Sequence, residues 1–288
     1  MLFQKINEYF NLDVQLANTF VRRDGNQHLS QIIETMNGDQ YFLKQVPIHS
    51  QRKYLDNLYY QLANLKVDNL KLILPLNLHQ QIHKFTFEVH GISYLLFKKA
   101  NLLPFDINKY SLDRLIKDLN SFQNLIQNFN LIKSRFRNYE SWLNRGILRV
   151  TQFHGKDLPY INSFNQFMND RFHQIEFIKG NIHWDIHLEN LALDEVGNLI
   201  IMDFDLLGEG SLITDFAAAA SLYIDIDNPV CDKNLEIYQT VFQQTENLYQ
   251  GLDLSEFKFL IKRNFLGDSI QTQKTDQVIR LLTNLEIV

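Results

Sequence analysis

The feature that most constrains this chain is a polar run followed by two short apolar segments. Asp185 and Asn190 stand with four residues between them in the run His-Trp-Asp-Ile-His-Leu-Glu-Asn. The apolar segments, with a polar turn between them, lie within residues 191–202 and predict a hairpin of two buried strands. Because a hairpin brings the end of a segment back to its beginning, we expect Asn190 and Asp203 to lie close together.

This order of residues matches the needs of phosphoryl transfer. The reaction requires a carboxylate that orients and deprotonates the attacking hydroxyl, and oxygen ligands that hold Mg²⁺ against the phosphates. Asp185 and Asn190 have the order and spacing of the base and the amide ligand in the kinase catalytic loop. The sequence therefore predicts Asp185 as the catalytic carboxylate, and Asn190 and Asp203 as the Mg²⁺ ligands.

Each of these residues also has another interpretation. Asp185 alone fits a turn or helix-capping carboxylate, and Asn190 alone fits a turn residue. His183, Asp185 and His187 together fit the zinc or iron site of a metal-dependent hydrolase, although that site leaves Asn190 and Asp203 without a role. His183 by itself fits a structural histidine bonded to the loop backbone.

The combination of motifs resembles a known family, the aminoglycoside phosphotransferase and choline kinase family of small-molecule kinases. The matching residues are His183, Asp185, His187 and Asn190, then Asp203-Phe204-Asp205, then Asp215-Phe216-Ala217. His187 separates the match from the protein kinases, which usually carry Lys two places after the catalytic Asp. The resemblance is strong over residues 178–220 and patchy elsewhere.

The resemblance implies a two-lobed, protein-kinase-like α+β fold, with a small antiparallel-sheet N-terminal lobe and a mostly helical C-terminal lobe. It implies ATP and Mg²⁺ as cofactors. It also implies that His183, His187 and Asp215 support the structure of the site. Trp184 departs from the family, which usually has Gly at this place.

The strand and helix patterns in the rest of the sequence agree with a division into two lobes. Strand patterns with intervening turn signals occur at residues 30–36, 40–46, 70–74, 85–89 and 92–97, and they predict a five-stranded antiparallel sheet. Apolar residues from Ser50 to Leu65 recur at helical spacing, and Ser111 and Ser163 precede further helical patterns. We divide the chain into a nucleotide-binding lobe (1–97), a hinge (98–101) and a helical catalytic and substrate-binding lobe (102–288).

The resemblance assigns nucleotide contacts to the first lobe. Lys44 lies where kinases carry the lysine that pairs with the nucleotide phosphates, and a solvated strand lysine is the competing interpretation. Lys98 and Ala100 belong to a segment that resembles the hinge, whose backbone binds adenine. The helix at 50–65 contains no Glu to pair with the lysine, and Asp56 is the nearest substitute.

Composition restricts the cellular compartment and the binding partners that can be expected. The chain of 288 residues has a net charge of −5, which argues against nucleic acids and anionic membranes as partners. The only cysteine, Cys231, permits no internal disulfide and fits a reducing compartment. The sequence shows no signal peptide and no apolar stretch long enough to span a membrane, so we expect a cytoplasmic protein.

The predicted function is ATP-dependent phosphorylation of a hydroxyl on a small molecule, such as an amino alcohol or an amino sugar. Acidic side chains that favour an acceptor with an amine are Asp205, Glu209, Asp225 and Asp227, each of which also fits a solvated loop charge. Trp184 and Tyr223 are candidates for a cation-binding aromatic cage. The alternatives are a nucleotide-binding protein with little or no transferase activity and, more distantly, a metal-dependent hydrolase.

Overall fold

The computed structural model describes ten stretches of the chain. They are residues 2–18, 30–46, 52–65, 70–79, 81, 83–131, 178–250, 256–258, 260–261 and 275–285. The predicted helix after Ser163 lies outside them. Two compact units divide the chain: a first unit of Met1–Pro104, Asn128–Ser134 and Ala192–Asp205, and a second unit of Phe105–Gln127, Arg135–Leu191 and Leu206–Val288.

The helices and strands are numbered here in chain order. The helices are α1 (Leu2–Phe10), α2 (Arg52–Ala63), α3 (Leu112–Ile126), α4 (Thr214–Tyr223), α5 (Asp232–Leu248) and α6 (Thr275–Asn284). The strands are β1 (Val14–Asn18), β2 (Ser30–Thr35), β3 (Gln40–Gln45), β4 (Leu70–Leu72), β5 (Phe87–Val89), β6 (Ile92–Lys98), β7 (Leu103–Pro104), β8 (Lys179–Ile182), β9 (Leu191–Leu193), β10 (Leu199–Ile201) and β11 (Gly208–Ser211).

The larger sheet of the first unit is five-stranded and antiparallel. Its order is β1-β2-β3-β6-β5, and Lys44 on β3 stands opposite Ser30 of β2 and Leu95 of β6. Tyr41 and Leu43 belong to the core that also contains Ile6 of α1. Since side chains alternate across a strand, Lys44 points to the face opposite that core.

The composition of this sheet corrects one prediction. The number of strands was right, but residues 70–74 were wrongly placed in the sheet, and the fifth strand is β1. Residues Leu70–Leu72 instead pair in parallel with Leu199–Ile201 of β10. The reason is that a short apolar run indicates a buried strand without indicating its partner.

The predicted hairpin after Asn190 is confirmed. Strands β9 and β10 are hydrogen-bonded neighbours in a four-stranded sheet of order β4-β10-β9-β7. The turn between them is fixed by Asp194, whose Oδ1 accepts the backbone N–H groups of Val196 (3.0 Å) and Asn198 (2.8 Å). Asp194 also forms an ion pair of 2.6 Å with Lys71.

Helices occur where the periodic apolar patterns predict them. Helix α2 buries Tyr54, Leu55, Leu58, Tyr59 and Leu62, and its first residue is Arg52. Helix α3 in the second unit begins after Ser111, whose hydroxyl accepts the N–H of Arg114, as expected for an N-cap. It ends at Ile126, so Phe129 lies beyond it.

The rest of the described second unit contains a two-stranded sheet, the helices α4, α5 and α6, and further helical residues at 256–258 and 260–261. Strand β8 precedes the loop that carries Asp185, and β11 pairs with it in antiparallel register, with Gly180 opposite Gly210. Helix α4 begins one residue before Asp215, and α5 and α6 follow. Along the described parts of the chain, no helix has both the length and the apolar character needed to cross a membrane.

Candidate functional site

The buried carboxylate of Asp215 holds the loop that precedes Asp185. Its Oδ2 accepts the backbone N–H of His183 at 2.8 Å, and its Oδ1 accepts the backbone N–H of Trp184 at 3.0 Å. The side-chain amide of Gln123 donates a third bond at 3.1 Å. Burial raises the pKa of Asp215 above its usual range, while His183 and the three N–H donors act in the opposite direction. The fold therefore brings Asp215 to this loop, although Asp215 follows His183 by 32 residues in the sequence.

Asn190 fixes Asp185 through both hydrogens of its amide. Its Nδ2 donates to the Asp185 backbone carbonyl and to Asp185 Oδ2, each at 2.9 Å. Asn190 ends a short 3₁₀ turn, Leu188–Asn190, and is 7% exposed. Because its nitrogen faces Asp185, the amide oxygen points in another direction and can serve as a metal ligand.

The two histidines of the motif shape the same loop. Nδ1 of His183 accepts the backbone N–H of Asp185, and Nδ1 of His187 accepts that of Glu189, each at 3.3 Å. Nε2 of His187 lies 3.5 Å from Asp185 Oδ2. These contacts account for both rings within the loop, so the hydrolase interpretation is not needed to explain them.

These contacts also set the charge of Asp185. Burial by itself raises the pKa of its carboxyl, but the hydrogen bond from His187, the electrostatic contributions of His187 and His183, and the hydrogen bond from Asn190 together outweigh burial. The pKa of Asp185 is therefore lower than its ordinary value. Asp185 is ionised at neutral pH and can accept a hydrogen bond from a substrate hydroxyl.

Two site residues have left-handed backbone conformations. Trp184 has φ of 74° and Asp203 has φ of 59°. Such a conformation is a strong outlier for a bulky aromatic residue and is better tolerated by Asp. Trp184 is held there by packing: it is 7% exposed, clusters with Ile182 and Leu212, and donates from Nε1 to the Gly208 carbonyl at 3.2 Å. Trp184 is thus a packed residue and does not offer an open aromatic face.

In the first unit, Lys44 meets two carboxylates that follow the hairpin. Its Nζ lies 2.8 Å and 2.9 Å from the two oxygens of Asp203, and 2.9 Å from Oδ2 of Asp205. Burial lowers the pKa of Lys44, but Asp205 and then Asp203 outweigh this effect and hold the pKa above its ordinary value. Lys44 is therefore a charged, paired lysine, and the interpretation as a solvated strand lysine is wrong.

Asp205 is fixed from two directions. Its Oδ1 accepts a hydrogen bond of 2.7 Å from the hydroxyl of Tyr59 on α2, and its Oδ2 faces Lys44. The Asp205 side chain is 13% exposed, whereas that of Asp203 is 37% exposed. Asp205 is thus a paired and largely shielded carboxylate, and the interpretation as a solvated loop charge is wrong.

Tyr59 is the residue of this cluster that sequence reasoning missed. The only available signal was its place in the buried stripe of α2, which indicates packing and not a polar contact. Asp56 does not replace the absent Glu as a partner of Lys44. Its Oδ1 accepts the backbone N–H groups of Phe85 (2.9 Å) and Thr86 (2.8 Å), so it fixes the start of the segment leading to β5.

The predicted hinge residues lie at the end of β6. Lys98 is the last residue of that strand and is exposed, and Ala100 follows outside regular secondary structure. Ala100 borders a cavity of about 430 Å³ that is also lined by Lys71, Leu102 and Asp194. Lys44 does not line this cavity, so the structure does not bring Lys44 and Ala100 together around it.

Most of the residues considered for binding an amine have other contacts. Oδ1 of Asp225 accepts the backbone N–H groups of Asp227 (3.0 Å) and Asn228 (3.2 Å), as in a loop-forming Asx turn. The Tyr223 hydroxyl donates to the Tyr110 carbonyl at 2.6 Å. Asp225 therefore shapes its own loop, and Tyr223 joins α4 to the segment that precedes α3.

The donor set of the predicted metal ligands fits Mg²⁺. Mg²⁺ prefers oxygen ligands, usually one or two carboxylates together with phosphates and water. The Asn190 amide presents its oxygen away from Asp185, and the Asp203 carboxylate is partly exposed, with 37% of its side chain accessible. Asn190 belongs to the second unit and Asp203 to the first, and their sharing of one ion stays a prediction.

Solved structures establish the fold, although no protein-family model and no curated protein sequence matches the chain. Amicoumacin kinase hAmiN, in complex with AMP-PNP, Ca²⁺ and Ami, is similar with a TM-score of 0.68 and 14% identity, over 99% of this chain and 92% of its own. The microcompartment-associated aminopropanol kinase has a TM-score of 0.64 and 12% identity, over 99% and 94% of the two chains. Choline kinase LicA from Streptococcus pneumoniae has a TM-score of 0.59 and 15% identity, over 99% and 96%. The predicted two-lobed, protein-kinase-like α+β fold is confirmed.

Proposed function

We propose that this protein is a small-molecule kinase that transfers the γ-phosphoryl group of ATP to a hydroxyl. The observation that carries the proposal is the loop around Asp185. Its carboxylate is fixed by the Asn190 amide at 2.9 Å, and the backbone before it is held by the buried Asp215. This arrangement occurs at the spacing of the kinase catalytic loop, in a chain with the fold of known phosphotransferases.

Asp185 orients the acceptor hydroxyl and receives its proton as the phosphoryl group is transferred. The low pKa of Asp185 keeps it ionised before the reaction, so it accepts a hydrogen bond from the hydroxyl and directs the oxygen. Asn190 and His187 hold the carboxylate in place. His183 and Asp215 support the loop from behind.

Asn190 and Asp203 supply the oxygen ligands for Mg²⁺, which when bound neutralises charge on the phosphates. Lys44 steadies the phosphates, and the backbone of Lys98 and Ala100 binds adenine. In this proposal residues 1–97 form the nucleotide-binding lobe, 98–101 the hinge, and 102–288 the catalytic and substrate-binding lobe. The partner is a small molecule rather than a nucleic acid or a membrane, and the enzyme acts in the cytoplasm.

The proposed acceptor is an amino alcohol or an amino sugar. This choice is supported by the proteins of similar structure, which include a choline kinase and an aminopropanol kinase. Of the acidic residues proposed to contact the amine, Glu209 on β11, Asp225 and Asp227 are exposed, but Asp225 is bonded to the backbone N–H groups of its own loop. Carboxylates pair favourably with ammonium groups, so Glu209 is a candidate for this contact.

The test is transfer of label from γ-labelled ATP, with Mg²⁺, to members of three acceptor classes: amino alcohols, amino sugars and neutral sugars. We expect a labelled product with an aminated acceptor. Asp185→Asn should lower the rate by about 10²–10⁴-fold while ATP still binds, because the carboxylate acts on the hydroxyl.

The outcomes separate the candidate functions. ATP binding without a labelled product from any acceptor would favour the alternative, a nucleotide-binding protein with little or no transferase activity. Activity of Asp185→Asn within a few-fold of wild type would remove Asp185 from its role. A neutral sugar as the best acceptor would reject the amine preference and leave the kinase assignment in place.

A further inference from the structure

The lysine that contacts nucleotide phosphates must be held in one place. Protein kinases hold it with a Glu from the neighbouring helix. Helix α2 contains no Glu, and its Asp56 is bonded to the backbone of Phe85 and Thr86. Lys44 therefore needs a different anchor in this chain.

Asp205 has the contacts expected of that anchor. One of its oxygens lies 2.9 Å from Lys44 Nζ, and the other accepts the Tyr59 hydroxyl at 2.7 Å. Tyr59 is fully buried on α2, so its hydroxyl is fixed by the packing of the helix. The chain of contacts from Lys44 through Asp205 to Tyr59 connects the lysine to the helix, which is the connection that a helix Glu would make directly.

The two carboxylates beside Lys44 differ in ways that suggest different tasks. Asp203 is 37% exposed and has a left-handed backbone, whereas Asp205 is 13% exposed. Asp205 also has the Tyr59 hydroxyl as a second partner. An ion pair that is shielded from water and fixed by a further hydrogen bond holds its geometry better than an exposed one.

We propose that Asp205 is the positioning residue for Lys44, and that Tyr59 fixes Asp205 to helix α2. This inference rests on the proposed function, because it assigns Lys44 to the nucleotide phosphates. Asp203 is then available as a metal ligand, since Lys44 keeps Asp205 as its partner. Asp205 acts through Lys44 and does not itself contact the nucleotide or the metal ion.

A double-mutant cycle tests whether Asp205 acts through Lys44. The variants are Asp205→Asn, Lys44→Met and the double variant, with the affinity for Mg²⁺ and AMP-PNP measured by calorimetry. We expect Asp205→Asn to weaken nucleotide binding by about tenfold in the wild-type background. In the Lys44→Met background it should change binding by less than about twofold, because the residue on which it acts is absent. Additive losses would overturn the proposal, because they would show that Asp205 contacts the nucleotide or the metal directly.

Tyr59→Phe tests the link to the helix with a smaller change. Tyr60→Phe is the matched control, since Tyr60 is the next residue of α2 and its ring packs against His83. We expect Tyr59→Phe to weaken nucleotide binding by about threefold to tenfold in the Lys44 background and to have no effect with Lys44→Met. Tyr60→Phe should stay within about twofold of wild type. Equal effects of the two substitutions would reject the role of Tyr59.

A measurement without nucleotide separates this inference from the proposed function. The same cycle of Asp205→Asn and Lys44→Met is followed by urea unfolding, with circular dichroism to confirm the fold. We expect the double variant to lose less stability than the sum of the losses of the two single variants, because each single substitution removes the same contact between Asp205 and Lys44. Additive stability losses would overturn the anchor. Wild-type protein that binds no nucleotide would reject the proposed function, while coupling in unfolding would still support the contact between Asp205 and Lys44.

Discussion

The loop around Asp185 and the cluster around Lys44 assemble polar side chains in different ways. In the loop, Asp185, His187 and Asn190 lie within six consecutive residues, and their contacts follow from local turns. In the cluster, Lys44 and Asp203 are separated by 159 residues, and Tyr59 and Asp205 by 146. A short motif therefore specifies a local arrangement of side chains, whereas a long-range cluster depends on how strands and helices pack.

The loop nevertheless depends on a residue that is distant in the sequence, Asp215. The largest predicted effect tests this dependence. Asp215→Ala removes the acceptor of two backbone N–H groups and of the Gln123 amide. Because a buried donor without a partner costs about 1–3 kcal/mol, we expect unfolding stability to fall by about 3 kcal/mol or more. Urea unfolding measures the loss, and Asp215→Asn, which keeps one amide oxygen, should lose less.

Asp232→Ala is the matched control for Asp215→Ala. Both residues lie in the first turn of a helix, but Asp232 is exposed. Removing it should cost only the favourable interaction with the helix dipole, about 0.3–1 kcal/mol. Equal losses from the two substitutions would show that Asp215 acts as a helix-terminal charge and not as the support of the loop.

The second prediction concerns Asp203 in the long-range cluster. Asp203→Ala should weaken Mg²⁺-dependent ATP binding on the order of 10²-fold, because a charged ligand is lost, and Asn190→Ala should act in the same direction. Calorimetric titration with and without Mg²⁺ measures both effects. Glu236→Ala, an exposed carboxylate on α5, is the control and should leave binding unchanged. Unchanged affinity in a folded Asp203→Ala variant would refute the proposed metal site.

The same contrast explains what could be predicted from the sequence. Asp185 and Asn190 could be predicted to lie in one loop because only four residues separate them, but their hydrogen bond was not predicted. The strand at Leu70–Leu72 could be predicted, but its partner β10 could not, since the two are far apart in the chain. For the same reason the contact between Tyr59 and Asp205 was missed, although the helix that carries Tyr59 was correctly predicted.

A third, smaller effect concerns the packing that holds the Trp184 backbone. Gly210 lies against the Trp184 ring and the Ile182 side chain, and a Cβ atom there would overlap both. We expect Gly210→Ala to lower unfolding stability by about 1–3 kcal/mol, the usual cost of overpacking. Gly197→Ala is the control: it has a φ of +83° but open space around it, so it reports backbone strain alone. Trp184→Leu should relieve the crowding in the Gly210→Ala background, and no relief would show that the clash is with another group.

The smallest predicted effect is a shift in pH dependence caused by His187. His187 is the main group that holds the pKa of Asp185 below its ordinary value, against the opposing effect of burial. His187→Ala should therefore raise the pKa of Asp185, and the acid limb of the kcat/KM profile should move to higher pH. The sign follows from the role of the carboxylate: Asp185 must be ionised to accept the hydroxyl, so activity is lost as pH falls through its pKa.

Stability should respond with the same sign. A carboxyl group with a lowered pKa in the folded state stabilises the fold above its unfolded pKa, and this contribution is lost as pH falls through the folded pKa. His187→Ala should lose that contribution at a higher pH than wild type, which pH-dependent unfolding measures. His79→Ala, an exposed histidine of the first unit, is the control and should leave both profiles in place. If His187→Ala left the acid limb unmoved, the low pKa of Asp185 would have to come from His183 and Asn190, and His187 would serve only to shape the loop.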